Sequence, residues 1–228
     1  MSNALRNCDL NYCVARLPWQ LREAVEEREI SDAIIAGGFI RATIAREDVN
    51  DVDVFVPSEA VAQSLAADLV KRKLGSGTAG HVFETKNALT LTCFAPVIQI
   101  VHRWPFSGPA GVLNLFDFTV CRAAMWFGIS REGDRWTSQI GDSFYADLAA
   151  KRLVYTWPSI AEAEPGGSML RLMKYLRRGY HPPLDTIAAV TARCAAQAQY
   201  LCDTKARALE QDIIENLREI DPDVNERR

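Results

Sequence analysis

Ile34-Ile-Ala-Gly37-Gly38-Phe-Ile-Arg41, followed by Asp51-Val-Asp53-Val-Phe-Val56 with twelve residues between Gly38 and Asp51, is the stretch whose reading decides how this chain folds. Alternate side chains of an extended strand share a face, so Asp51 and Asp53 point one way while Val52, Val54 and Val56 point into a core. Two carboxylates about 7 Å apart along a strand can share a hard cation. Magnesium takes such oxygen ligands together with substrate phosphates, and manganese is the alternative ion. The paired glycines serve a different need. Without Cβ atoms they let a backbone turn approach a polyphosphate closely, and the helix start that follows offers unpaired N–H groups to anionic oxygens. A glycine pair alone is an ordinary turn, and two aspartates alone are an ordinary solvated strand edge. Their order and spacing together carry the signal.

Outward from this stretch, short apolar runs at 33–36, 52–56, 89–94 and 97–102 read as strands. Ser58 is placed to cap a helix running to Lys73, with Ala60, Val61, Leu65, Leu69 and Val70 on its apolar face. Leu115-Phe-Asp117-Phe-Thr-Val-Cys121 reads as a strand that delivers a third carboxylate, Asp117, and runs on into a helix. Glu84 is the weaker candidate for that third position. Beyond Pro165 the β-branched runs disappear and the pattern is helical. The expected division is therefore a mixed α/β domain over 1–157 and a helical region over 158–228. In that region Arg171, Lys174 and Arg178 recur at i, i+3 and i+7, which puts three cations on one helix face, suited to a triphosphate or an RNA backbone. Arg41, three residues beyond the glycines, is a further phosphate candidate. Gly75-Ser-Gly77-Thr-Ala-Gly80 matches the dinucleotide fingerprint in letters only. It follows a helix and precedes a strand, the reverse of the order that fingerprint needs.

Composition narrows the function classes. The 228 residues are 48% hydrophobic and 24% charged, with a net charge of −3. That balance argues against a protein whose whole surface binds nucleic acid, while leaving room for a local basic patch. Six scattered cysteines without a Cys-x-x-Cys pair, and three histidines far apart, give no zinc spacing and fit reduced thiols. No apolar stretch is long enough for a membrane span and no basic-then-apolar leader opens the chain, so the expectation is a soluble, cytoplasmic protein.

The glycine pair followed by Asp-x-Asp on a strand resembles the signature of the DNA polymerase beta superfamily of nucleotidyltransferases. Three further segments are similar to motifs of the bacterial tRNA CCA-adding enzymes and poly(A) polymerases. Asp117-Phe-Thr resembles their Arg-Arg-Asp-Phe-Thr-x-Asn, Asp147-Leu-Ala-Ala-Lys-Arg152 resembles Asp-Leu-x-x-Arg, and Ser168-Met-Leu-Arg171-Leu-Met-Lys174 resembles Asp-Pro-x-Arg-x-x-Arg. The resemblance spans residues 34 to about 180. It departs at Phe116, where the family has arginine, at Cys121, where it has asparagine, and at Ser168, where it has the aspartate that helps choose the incoming base. The resemblance implies an α+β fold, a mixed sheet flanked by helices with a helical C-terminal region. It also implies magnesium-dependent transfer of a nucleotide from a nucleoside triphosphate such as ATP to an acceptor hydroxyl, with an RNA 3′ end such as that of tRNA favoured. Asp51, Asp53 and Asp117 would hold the metal, and Gly37, Gly38, Arg41, Arg171, Lys174 and Arg178 would meet the nucleotide. The sequence also leaves open a non-catalytic nucleotide- or RNA-binding module of the same fold. A transferase that modifies a protein or a small molecule, as superfamily members in toxin systems or acting on antibiotics do, stays open too.

Overall fold

The computed structural model describes residues 3–27, 33–75, 81–103, 106–130, 133–158 and 165–198. The tail beyond 198 and residues 76–80 of the glycine-rich segment lie outside the described residues. By contacts the chain divides into two compact units. The first holds Met1–Phe116 and Val120–Tyr145, the second Asp117–Thr119 and Ala146–Arg228. This division falls earlier than the expected boundary at 157/158, and it assigns the Asp117 segment to the second unit.

The first unit opens with helices α1 (Asn7–Arg16) and α2 (Trp19–Glu26) and continues through β1 (Ile34–Ala36), α3 (Gly38–Ala45), β2 (Asp51–Phe55) and α4 (Glu59–Leu74). It is completed by β3 (Val82–Glu84), β4 (Ala88–Leu91), β5 (Val97–Val101), α5 (Gly108–Leu113), β6 (Ala123–Ser130) and β7 (Gly133–Ile140). The seven strands form one mixed sheet in the order β3-β4-β5-β2-β1-β6-β7. Only the β2–β5 pair is parallel.

The alternation read in the sequence decides the two faces of the sheet. Val52 and Val54 are fully buried, in line with Ile98 and Ile100 on β5. The face of Asp51, Asp53 and Phe55 is the opposite one. There Val112 and Leu113 of α5 pack with Ile34, Ala36, Phe55 and Ala124. After β2, α4 is capped at its start by Ser58, as the sequence expects, the hydroxyl accepting from the Val61 N–H, and it ends at Gly75 in the left-handed region. Its last turn is tied to α2 by Arg72, which reaches Glu23, Glu27 and Asp68.

One sequence expectation fails here. The segment after Asp117 does not run into a helix. It makes a short 3₁₀ turn at Thr119–Cys121 and enters β6, which pairs with β7 over its whole length and with β1 at its start. Alanine and arginine after Cys121 favour a helix locally, but Ala123 and Ala124 are fully buried in the sheet, and tertiary pairing overrides propensity.

The second unit contains the later part of α6 (Phe144–Ala149), then α7 (Pro165–Arg177) and α8 (Leu184–Ala198). Phe118 bridges to Tyr155, and its ring, wholly buried, meets Tyr155 and Tyr175 edge-on at 5.7 Å and 5.8 Å. Arg193 donates to the Tyr155 hydroxyl at 2.7 Å, and Thr186 accepts from the Tyr155 N–H at 3.0 Å, which fastens α8 to this cluster. Among the described residues no helix is long and apolar enough to cross a membrane.

Packing of α1 has a chemical consequence. Burial, reinforced by the neighbouring Asp9 charge, pushes the Cys13 thiol up to about 12, whereas Cys8 on the same helix is exposed. The thiolate is the reactive form. Iodoacetamide at pH 8 is expected to alkylate Cys8 in the native protein and to leave Cys13 unmodified until denaturant is added, read by peptide mass spectrometry.

Candidate active site

The site is built on the pairing of β1 with β2. In that antiparallel register Ala36 lies opposite Asp53, so the chain leaves β1 at Gly37 beside the strand segment that carries both aspartates. Asp51 and Asp53 are half-buried while the residues between and beyond them are buried, which places the two carboxylates on one accessible face.

Gly37 has φ +83° and ψ −133°, a combination that only glycine adopts without strain. A Cβ there would also come within 2.5 Å of Cε1 of Phe116. Its N–H donates to the Ala123 carbonyl at 3.0 Å, which anchors the bend to β6. Gly38 is different. It is the first residue of α3, its φ is unexceptional, and a Cβ added to it would meet nothing within 4 Å. Neither packing nor backbone conformation requires glycine at that position, so the open space in front of it is room for a ligand at a helix N-terminus.

Arg41 does not present itself at this opening. It is 1% exposed and its guanidinium meets Glu47, just after α3 ends at Arg46 in the left-handed region. The sequence expected this arginine at a phosphate, and the structure puts it in a buried ion pair that fixes the far end of α3 to the loop leading into β2. Removing one partner of such a pair leaves an uncompensated charge, at a cost of about 3–5 kcal/mol.

Glu84 sits on the edge strand β3, three strands from β2 and about 14 Å away at ordinary strand spacing. It lies in the cross-strand row of Leu89, Ile100 and Val54, whose side chains point away from the aspartate face. It does not join Asp51 and Asp53.

Within the second unit, Asp117 is 3% exposed and accepts from Nε of Arg171 at 2.8 Å. Arg171 therefore spends part of its guanidinium on the carboxylate rather than lining a uniform basic face. Lys174 is exposed. Arg178 lies in the turn beyond α7, its guanidinium 6.0 Å from the Tyr175 ring centre and its carbonyl accepting from Lys151 Nζ at 3.4 Å. Ser168 is buried. Asp147, 1% exposed, accepts from the Thr119 hydroxyl at 2.6 Å and from Nε of Arg152 at 2.7 Å. The Asp147–Arg152 segment read in the sequence is thus a clasp that holds the Phe118 segment.

Among the described residues no group of three or more His, Cys, Asp or Glu side chains converges. The Asp51–Asp53 pair offers carboxylate oxygens, and one or two carboxylates completed by phosphate and water is the donor set magnesium accepts. The residues present fit that ion.

A family model described as Gabija anti-defense 2 family protein matches residues 12–151. The chain belongs to the Gabija anti-defense 2 family. Its relative "Gabija anti-defense 2" of Bacillus phage SPbetaL7 is 32% identical over 161 residues, covering 69% of this chain and 36% of that protein. Among solved structures, the Thermotoga maritima CCA-adding enzyme complexed with tRNA superposes with a TM-score of 0.55 at 17% identity, over 85% of this chain and 46% of that one. A CCA-adding enzyme in complex with CTP gives 0.55 at 15% identity, over 88% and 48%. A tRNA-processing enzyme in an apo form gives 0.52 at 20% identity, over 77% and 47%. These likenesses are of fold, and the fold is that of the polymerase-beta-like nucleotidyltransferases. The chain spans about a third of its phage relative and just under half of each solved chain.

The two glycines can be told apart by experiment. Gly37→Ala is expected to lower the thermal midpoint by several degrees, on the order of 2 kcal/mol of backbone strain before any shift of Phe116. Gly38→Ala is expected to leave the midpoint within about a degree, because the new methyl group meets no protein atom. Differential scanning calorimetry of both variants decides it.

Proposed function

We propose that this chain is a magnesium-dependent nucleotidyltransferase that moves a nucleoside monophosphate from a nucleoside triphosphate to an acceptor hydroxyl and releases pyrophosphate. The observation that carries the reading is the register of Ala36 against Asp53, which supports a polyphosphate site at Gly37–Gly38 served by the same face as Asp51 and Asp53. In the reaction the acceptor oxygen bonds to the α-phosphorus, the bond from that phosphorus to the β-bridging oxygen breaks, and pyrophosphate leaves with the electron pair. Asp51 and Asp53 would hold magnesium, which when bound neutralises charge gathering on the leaving phosphates and lowers the pKa of the acceptor hydroxyl. The open face of Gly38 and the first N–H groups of α3 orient the phosphates. Arg41 contributes by holding α3 in place through Glu47.

Asp117 is proposed as the third carboxylate, which assists departure of the hydroxyl proton. Lys174, Arg171 and Arg178 are proposed as phosphate partners on the strength of the motif resemblance. An RNA 3′ end is the first acceptor to test, since solved proteins of this fold are described in complex with tRNA and with CTP. A second acceptor class is favoured by the family description. The alternative is a protein or small-molecule acceptor belonging to the defense that the family description names.

Incubation with each of four radiolabelled triphosphates, magnesium, and RNA, protein or small-molecule acceptors tests this reading. Label is expected on one acceptor class, with pyrophosphate released. Asp51→Ala and Asp53→Ala are expected to reduce release by about a hundred-fold or more while far-ultraviolet circular dichroism is unchanged. Full turnover by either purified variant would overturn the assignment.

A further inference from the structure

Strand pairing extends the aspartate face sideways into a row of side chains that the transfer chemistry does not use. Phe83 of β3 stands opposite Thr90 of β4, Thr90 opposite Gln99 of β5, and Gln99 beside Asp53 in the parallel pair. Paired residues share a face, so all four lie on the aspartate side of the sheet. That side is covered unevenly. Val112 and Leu113 of α5 pack on it at Ile34, Ala36, Phe55 and Ala124, which belong to β1, β6 and the far end of β2. On β4 and β5, by contrast, Thr90 and Gln99 are half-buried, while Leu89, Leu91, Ile98 and Ile100 on the other side are at most 2% exposed. At the outer end, Phe83 is 58% exposed. The row therefore opens outward from Asp53 and ends on an aromatic ring in water.

A single exposed phenylalanine is ordinary surface. Its place at the end of this row gives it chemistry to serve. An exposed ring on a sheet face stacks an unpaired base, and a hydroxyl and an amide beside it can hydrogen-bond ribose hydroxyls. One ring followed by two neutral polar groups, rather than a continuous apolar strip, suits a chain of alternating bases and sugars. Asp53 supplies the only carboxylate of these four, and Lys86 is exposed in the turn that joins β3 to β4. Three strand spacings, about 14 Å, separate Phe83 from Asp53. That is about four stacked nucleotides at 3.4 Å each.

We propose that the row Asp53–Gln99–Thr90–Phe83 is a track for an unpaired RNA segment, with a base stacked on Phe83 and the 3′ end directed toward Asp53. This inference rests on the reading of Asp53 as part of the transfer site and of RNA as the acceptor. Its first test needs no transfer. Fluorescence anisotropy of a 5′-labelled hexaribonucleotide, in magnesium without triphosphate, is expected to show binding that Phe83→Ala weakens roughly ten-fold. Phe83→Trp is expected to bind as tightly as the wild type, whereas Phe83→Leu, apolar without a π-face, is expected to behave like Phe83→Ala. Because the side chain is exposed, all three variants are expected to keep the thermal midpoint within about two degrees.

The second test reads length. In transfer assays Phe83→Ala is expected to raise KM roughly ten-fold for a hexanucleotide acceptor, to leave kcat within two-fold, and to leave KM for a dinucleotide unchanged, since two nucleotides do not reach the ring. Absence of oligonucleotide binding, equal affinity of Phe83→Ala and wild type, or full binding by Phe83→Leu would each overturn the track. Label transferred to a protein or small molecule, with no oligonucleotide bound, would leave the transferase reading standing and remove this one. Binding that depends on an aromatic residue at position 83, without pyrophosphate release, would support the track and count against the transferase.

Discussion

The antiparallel pairing of β1 with β2, in the register that sets Ala36 against Asp53, is the constraint on which the proposed site depends. A slip of one residue would turn Asp51 and Asp53 into the core and Val52 and Val54 out to water. The fully buried valines make that slip costly, since each side chain gives up about 1.5–3 kcal/mol when it is exposed. The apolar alternation of β2 therefore does two things at once. It builds the interior of the sheet, and it fixes two acids on the accessible side next to a bend that glycine alone can make.

Other features hold that bend where it is. The Gly37 N–H is bound to the Ala123 carbonyl, the Phe116 ring closes over the Gly37 Cα, and Arg41 with Glu47 secures the end of α3 from inside. In the second unit, ionic contacts organise the segments that carry the remaining motifs. Asp117 is bound by Arg171, and Asp147 is bound by both Thr119 and Arg152. Motifs that look catalytic when written as letters are, in these places, at least partly architectural. The chain belongs to the Gabija anti-defense 2 family, and its sequence departs from the motifs of the tRNA-processing enzymes at Phe116, Cys121 and Ser168.

The sequence was legible where local rules are strong. Two glycines before a helical pattern, acids at every second position among valines, and a serine N-cap each follow from backbone sterics or from alternation, and β1, α3, β2 and α4 stand where those rules put them. Legibility ended where long-range pairing decides. The Cys121-Arg-Ala-Ala stretch reads as helix but becomes β6, because its alanines fit between β1 and β7. Arg41 reads as a phosphate ligand because an exposed cation and a paired one are the same letter, and the sequence is equally silent on the carboxylate that Arg171 meets. Their carboxylate partners lie six and fifty-four residues away, and no periodicity reports such pairs. Phe116 registered only as a departure from a motif. Its packing against Phe55 and the Gly37 bend is a long-range contact that no local pattern reports.

Anomalous diffraction from crystals of the protein soaked with manganese and a non-hydrolysable ATP analogue reaches the central claim most directly. The account predicts a manganese peak coordinated by carboxylate oxygens of both Asp51 and Asp53, with phosphate density in front of Gly38. Manganese bound elsewhere, or phosphate density remote from the glycine bend, would contradict it.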